Sequence, residues 1–590
     1  MKQFFKMMFA SALGVFISIG ILILIWLVML IGMVSSLSSS PQKMAKSDEK
    51  VLVLPLKGFL PEVANESPIP SMLNQKKSLS IKDVLEAIEI AKESKQIEGI
   101  YLDISALFTG TASVDVIRRS LIDFKESGKF VVAYGDNYTQ NGYYLASVAD
   151  KIFLNPQGAL ALTGLSSQVS FYKGILKKAG IEMVVFKVGT FKGAVEPFLL
   201  DKLSDENRQQ ITSYQQSIWK NIVCTIAFAR NISNDQINGF VDNGFMFAPA
   251  QKAVEYGFVD ELNYKEEATK YVKGLVGDEL NKNLKAVSVA SIKGLKKKNP
   301  VVRGDQIAVI YAEGEITSSD FVSPYGNSNV ITEKFAEDLI KLKRDDKVKA
   351  VVLRINSPGG SGFVSEQIWK QVNDLKNEKT IVVSMGNVAA SGGYYIACAA
   401  DKIVAEPNTL TGSIGVFSAI PNAAELYAKL DLTTDVVKTN KYGDIGDPSR
   451  PMHEDEKALI QGSVEHFYDV FITRCADGRG MSKNEIDEIA QGRVWTGEQA
   501  LERGLVDELG GLVHAIKVAA ELANLEDYQI KTVTRSNDPL MEFVKKFAGE
   551  VKTSIMKDAL GDEYEMFDVI RSIKRMSGIQ ARLPYDIGFL

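Results

Sequence analysis

Cysteine is scarce: Cys224, Cys398 and Cys475 are the only three in 590 residues, and no two stand in a CxxC spacing. An odd, scattered set supports neither a disulfide framework nor a zinc site, and each reads as a small buried apolar residue. Histidine is just as sparse, with His453, His466 and His514 the whole complement. A basic excess is also missing. With 68 Lys and Arg against 73 Asp and Glu, a net charge of −5 and a pI near 5.7, the chain carries no broad positive field, so nucleic acid is not expected as a partner. No metal and no cofactor are expected.

Long apolar runs are missing too, with one exception. No charged residue occurs from Met7 to Leu37, and the stretch Phe9 to Val34 exceeds the roughly 20 residues that span a bilayer. Lys2 and Lys6 precede it without an acidic residue, so residues 1–8 are expected in the cytoplasm, 9–34 as a transmembrane anchor, and the remainder across the membrane. A cleaved signal peptide would have an apolar region of about 7 to 15 residues ending in an A-x-A pattern. This run is longer and leads into VSSLSSS, which favours an uncleaved, single-pass anchor in contact with the lipid bilayer. Residues 35–50, polar and rich in Ser and Lys, read as a flexible stalk.

Beyond the stalk the chain is one unit written twice. QNGYYLASVADKI, from Gln140 to Ile152, matches SGGYYIACAADKI, from Ser391 to Ile403, at eight of thirteen positions. The offset of 251 residues between Gln140 and Ser391 also pairs Leu102 with Leu353, Gly135 with Gly386, Pro156 with Pro407, Lys187 with Lys438, and Pro197 with Pro448. Isolated motif matches would not hold one register over such a span. Within each copy, short β-branched runs such as KAVVLRI and TIVVSMG alternate with amphipathic stretches such as FVSEQIWKQVNDLKN. That alternation predicts an α/β fold with parallel strands joined by helices. The expected boundaries are 51–265 for the first copy, 266–304 for an inter-domain connection, 305–535 for the second copy, and 536–590 for a helical tail.

Two turns in the second copy can carry chemistry. In RINSPGGSG, Arg354 to Gly362, adjacent Gly359 and Gly360 allow close approach of a substrate to backbone N–H groups at a helix start. An ordinary strand-to-helix turn would look the same. Ser391 stands where NVAA gives way to the helix GGYYIACAA, so its hydroxyl serves either as an N-cap or as a nucleophile favoured by the helix dipole. A serine nucleophile needs a base, and the three histidines all lie C-terminal to it in helical, charged contexts. Lysine is the remaining option with chemical precedent.

NVAASGGYY, LTGSIGVF (Leu410 to Phe417), the SPGG loop and VGTFKGAVEPF (Val188 to Phe198) together resemble the long, duplicated form of signal peptide peptidase A, also called protease IV. The resemblance runs through nearly all of the chain after the anchor. It implies two tandem domains of the fold shared by Clp proteases and crotonases, Ser391 as nucleophile, Lys192 as general base, and Ser413 as the hydroxyl that orients the lysine. It further implies a homotetramer or similar ring at the bacterial inner membrane with its catalytic domains on the periplasmic side. Signal peptides and other apolar peptides would be its substrates. A crotonase-like acyl-CoA enzyme and an inactive peptide-binding scaffold remain as alternatives.

The internal alignment bears on that assignment independently. Ser391 faces Gln140, Gly359 and Gly360 face Phe108 and Thr109, and Lys192 faces Gly443. Each copy keeps what the other lacks, which makes sense if one site takes its serine from the second copy and its lysine from the first. Such a lysine acts as a base only when neutral, so its pKa must fall from about 10.4 by roughly 2 to 3, a change that costs about 3 to 4 kcal/mol and that burial could supply. Backbone N–H groups of Gly360 and Gly392 are the expected oxyanion donors.

Overall fold

The computed structural model describes residues 48–64, 79–280, 282–295, 304–318, 330–533 and 578–583, with residues 14, 17, 18, 20, 21 and 25 as isolated helical positions. The anchor expected at 9–34 and the stalk at 35–50 therefore fall almost wholly outside the described residues. Among the described residues, no helix is long and apolar enough to cross a membrane.

Two parallel sheets form the body of the protein, as the alternating pattern predicts. In spatial order the first runs Glu261–Leu262, Lys151–Leu154, Phe130–Gly135, Gly99–Leu107, Val51–Gly58, Ala286–Ser288. The second is built on Thr380–Ala390, Val348–Ser357, Gln306–Glu313 and Gln529–Val533, also parallel. Lys151–Leu154 and Lys402–Ala405 occupy equivalent places at the offset read from the sequence, and each copy carries a long helix of 26 residues, Asp205–Arg230 and Glu454–Arg479. Successive strand residues point to opposite faces. Along Val348–Ser357, Val351, Leu353 and Ile355 enter one core while Ala350 and Val352 enter the other. Both faces are dry, which is why this strand reads as an unbroken apolar run rather than an alternating one.

The segment expected as an inter-domain connection is, up to Leu295, built onto the first sheet. Helix Lys265–Val276 buries Ala268, Val272 and Val276 against Tyr101, Tyr134 and Phe153, and strand Ala286–Ser288 pairs with Val51, Leu52 and Val53. Ala268, Val272 and Val276 stand four residues apart, so they share the helix face turned to the sheet. Residues 296–303 of the expected connection lie outside the described residues. The tail also differs from expectation over its described part. Gln580–Arg582 is a strand rather than a helix, because its partner is a distant strand that no local pattern announces.

The copies meet through polar groups as well as apolar ones. Arg354 is buried in the second copy and meets Glu62 of the first through two contacts, Nη2 to Oε1 at 2.8 Å and Nε to Oε2 at 3.1 Å. Ser384 Oγ and the Met385 carbonyl accept from its remaining nitrogen. Nearby, Asn387 and Ser113 exchange two hydrogen bonds, and Asn408 donates to Asp115 at 2.8 Å. Glu313, beside this cluster, is pushed up to about 7, first by burial and then by the charge of Glu62.

Removing one partner of a buried ion pair strands the other, at a cost of about 3 to 5 kcal/mol. Glu62→Gln is therefore expected to lower stability to urea by about that amount. The double variant Glu62→Gln, Arg354→Met should recover most of it, because no unpaired charge remains. Equal losses in the single and double variants would show that the pair has no such role.

Candidate active site

Ser391 follows the last residue of strand Thr380–Ala390. Ala390 pairs with Gly412 of Leu410–Gly412, so the residues that come next in the two strands, Ser391 and Ser413, emerge side by side. Both have positive φ, 55° and 51°. A non-glycine residue held there costs about 1 to 3 kcal/mol, which the surrounding structure must offset. Ser391 N–H donates to the Gly412 carbonyl at 2.8 Å and Ser413 N–H to the Arg493 carbonyl at 2.7 Å, fixing both turns. Although Ser391 stands at the N-cap position of helix Gly392–Ala397, its side chain makes no capping bond. Its hydroxyl turns instead toward Lys192.

Lys192 reaches this place through sheet pairing. Strand Glu182–Val188, from the first copy, lies antiparallel to Val416–Asn422 of the second, with every residue from Glu182↔Asn422 to Val188↔Val416 in register. The following turn is clamped: Phe191 N–H donates to the Gln491 carbonyl at 2.8 Å, and a methyl group on Gly492 would sit 2.7 Å from Lys192 N. Only glycine lets the two chains approach so closely, and its φ of +78° points the same way.

The Lys192 amine is fully buried and lies 2.8 Å from Ser391 Oγ, 3.0 Å from the Ser413 carbonyl oxygen and 3.1 Å from Ser413 Oγ. No carboxylate is among these contacts, and burial alone holds its pKa well below the ordinary lysine value. A neutral amine has two hydrogens and one lone pair. The carbonyl can only accept and Ser413 Oγ can accept as well, so the two hydrogens are satisfied there. The lone pair is then left facing the Ser391 hydroxyl.

Gly359 and Gly360, with φ of +92° and +150°, pass directly beside Ser391 and Gly392. A methyl on Gly360 would stand 1.9 Å from the Ile316 carbonyl oxygen, and one on Gly359 would stand 2.7 Å from Gly392 N. These close approaches demand the glycine pair. In the first copy, Thr109 Oγ1 instead accepts from Leu60 N–H, and the Gln140 carboxamide accepts from Thr163 and Gly164 N–H at 3.2 and 2.9 Å. Gly443 stands in an exposed turn. The histidines are elsewhere: His453 precedes the long helix Glu454–Arg479, His466 is exposed on it, and His514 Nε2 lies 2.8 Å from Glu508.

Sequence reasoning missed Gln210. Its side chain donates to the Phe191 carbonyl at 2.9 Å and accepts from Val494 N–H at 3.0 Å, tying the lysine turn to the second copy. It sits in DENRQQITSYQQS among several polar residues of a helix, and nothing in that pattern separates it from its solvated neighbours.

Family models and relatives match most of the chain. The model of peptidase family S49 matches residues 123–277 and 373–526, and that of Clp protease matches 315–411. The chain is 32% identical over 508 residues to the chloroplastic serine protease SPPA of Arabidopsis thaliana, covering 86% of this chain and 74% of that one. It is 38% identical over 463 residues to protease 4 of Salmonella typhi (76% and 73% covered) and 34% identical over 555 residues to protease 4 of Haemophilus influenzae (88% and 87%).

A lysine with a depressed pKa in the fold must take up a proton when the chain unfolds near neutral pH, so the unfolded state binds more protons and stability rises with pH toward the ordinary lysine value. Lys192→Met lacks this dependence. The stability of the variant relative to the parent should therefore shift in its favour as pH falls from about 10 to about 7. A difference independent of pH, read from urea unfolding, would mean that Lys192 is charged in the fold.

Proposed function

From the premise that the chain belongs to peptidase family S49 and is a serine peptidase, we propose that it hydrolyses peptides with a Ser391–Lys192 dyad assembled from both copies. The observation that carries this reading is the 2.8 Å contact between a buried Lys192 amine and the Ser391 hydroxyl. Neutral Lys192 takes the Ser391 proton, Ser413 holds the amine in line, and the alkoxide attacks the scissile carbonyl. Backbone N–H groups of Gly360 and Gly392 receive the oxyanion. The amine leaves with the proton held by Lys192, and water hydrolyses the acyl-enzyme by the same route in reverse.

Ser391→Ala and Lys192→Ala should each abolish hydrolysis of an apolar peptide without disturbing the fold. Replacing His453, His466 and His514 together should leave it largely intact. The acylation rate should rise with pH and level off at an apparent pKa well below 10, as a lysine base requires. Substantial turnover by Lys192→Ala at neutral pH would sink the dyad, and unaltered turnover by Ser391→Ala would place the chemistry elsewhere.

Signal peptides and other apolar peptides are the proposed substrates, met at the outer face of a bacterial inner membrane to which Phe9–Val34 anchors the enzyme. The length of that uncharged run and the lysines before it support the placement. A ring of subunits is supported by an unpaired segment. Residues 433–439 are the second-copy counterpart of strand Glu182–Val188, yet they join no strand ladder among the described residues, and Val437 is 97% exposed. Their expected partner by the same offset, residues 165–171 of a first copy, likewise joins no strand ladder among the described residues. Joining the two between neighbouring chains gives a head-to-tail contact that closes into a ring when the rotation allows. Val437→Asp should reduce the mass of the assembly measured by light scattering; an unchanged mass would remove this contact from the interface.

A further inference from the structure

The first copy has lost the serine and the glycine pair, yet what replaces them is arranged rather than eroded. In the parallel pairing of Val51–Gly58 with Gly99–Leu107, Lys57 faces Ser105 but Gly58 faces Leu107, so Ala106 is an extra residue in the ladder. Such a bulge re-aims the side chains that follow it. Leu107 is returned to the core, and Phe108 is left 57% exposed. Phe108 N–H donates to the Gly58 carbonyl at 2.9 Å, which puts Phe59, the next residue of the neighbouring strand and 51% exposed, at the same carboxyl end of the sheet. In open α/β sheets, ligands are commonly bound beyond the carboxyl ends of the strands.

Gln140 stands at this place too. The residues on either side of it, Thr139 and Asn141, donate to the carbonyls of Leu107 at 2.7 Å and Thr109 at 2.9 Å, and those are the residues on either side of Phe108. The Gln140 carboxamide oxygen takes the N–H groups of Thr163 and Gly164, which fixes the orientation of the amide and turns its nitrogen the other way. Among the described residues nothing accepts from that nitrogen, although Gln140 is only 8% exposed. Two amide hydrogens are thus offered at the position where the second copy presents the Ser391 hydroxyl, beside two exposed aromatic rings.

We infer that the first copy holds a non-hydrolytic peptide cradle: Gln140 donates to a carbonyl of an extended apolar peptide, and Phe59 and Phe108 receive one of its apolar side chains. A lipid tail would cover the rings and leave the amide hydrogens unpaired, and a small polar molecule would do the reverse. A peptide supplies an acceptor and an apolar group at the spacing of neighbouring residues. The inference rests on the reading of the second copy as a peptidase, because one substrate is to lie in both places. The cradle is joined to the strand that carries the nucleophile: Ser113 N–H donates to Asn387 Oδ1 at 2.9 Å and Asn387 Nδ2 donates to Ser113 Oγ at 2.7 Å, in the strand that leads into Ser391. A long peptide is then held at a second point away from the bond that is cut. Its binding improves while the chemistry at Ser391 is untouched, and the enzyme prefers long apolar peptides to their own fragments.

Two variants of the full chain test the cradle. Gln140→Glu keeps the oxygen that Thr163 and Gly164 need and removes both amide hydrogens, and Phe108→Asp removes one exposed ring. Each should raise KM several-fold, with kcat little changed, for an apolar peptide of about twenty residues, the length that crosses a bilayer. KM for an apolar tetrapeptide with a chromogenic leaving group should not move. In the Ser391→Ala background, each should also weaken binding of the fluorescently labelled long peptide several-fold, read by anisotropy. An unchanged KM or unchanged binding of the long peptide in either variant overturns the cradle. Equal losses on the long and short peptides overturn it as well, because the effect then lies at the cleavage site. If Ser391→Ala hydrolyses both peptides as the parent does, the dyad reading fails, while anisotropy still decides the cradle.

Discussion

The pairing of Glu182–Val188 with Val416–Asn422 is the constraint on which the rest of the site depends. A lysine side chain is long and costly to hold still, at up to about 2 kcal/mol of rotamer freedom. Here the backbone is delivered to within reach by a full strand of ladder bonds and then pinned by Gln491, Gly492 and Gln210. The amine consequently sits in a dry pocket made by the meeting of the copies, with two acceptors and one hydroxyl around it and no counter-charge. Desolvation lowers its proton affinity, the direction that a base requires.

Much of the body of the protein was legible before any coordinates. The strands KAVVLRI and TIVVSMG announce themselves because a parallel sheet covered on both faces needs β-branched residues without interruption. The constant offset between Gln140 and Ser391 reveals the duplication, and the family resemblance it supported holds. Ser391 alone was ambiguous, because a cap and a nucleophile call for the same residue at the same place. What separates them is the direction of one hydroxyl, which sequence does not encode locally.

Other features were illegible for definable reasons. Gln210 looks like any polar residue on a solvated helix until the second copy closes over it. The helix Lys265–Val276 falls in the stretch expected as a connection, and the sheet that receives Ala268, Val272 and Val276 lies far back in the chain. Gln580–Arg582 has neither length nor periodicity to mark it as a strand, and its conformation is set by the two strands it lies between, Gly359–Ser361 and Val416–Asn422. In each case the determining partner lies far away in the chain.

The duplication has been spent asymmetrically, with glycine pair and serine kept in one copy and lysine in the other. The two groups that meet are separated by 199 positions. During synthesis the copy bearing the lysine leaves the ribosome first, with no serine to act on, and the serine arrives in a copy with no lysine of its own. Neither half is armed by folding alone. On the Ser391–Lys192 reading, hydrolysis therefore waits until both copies have folded and met along the seam that brings the two side chains together.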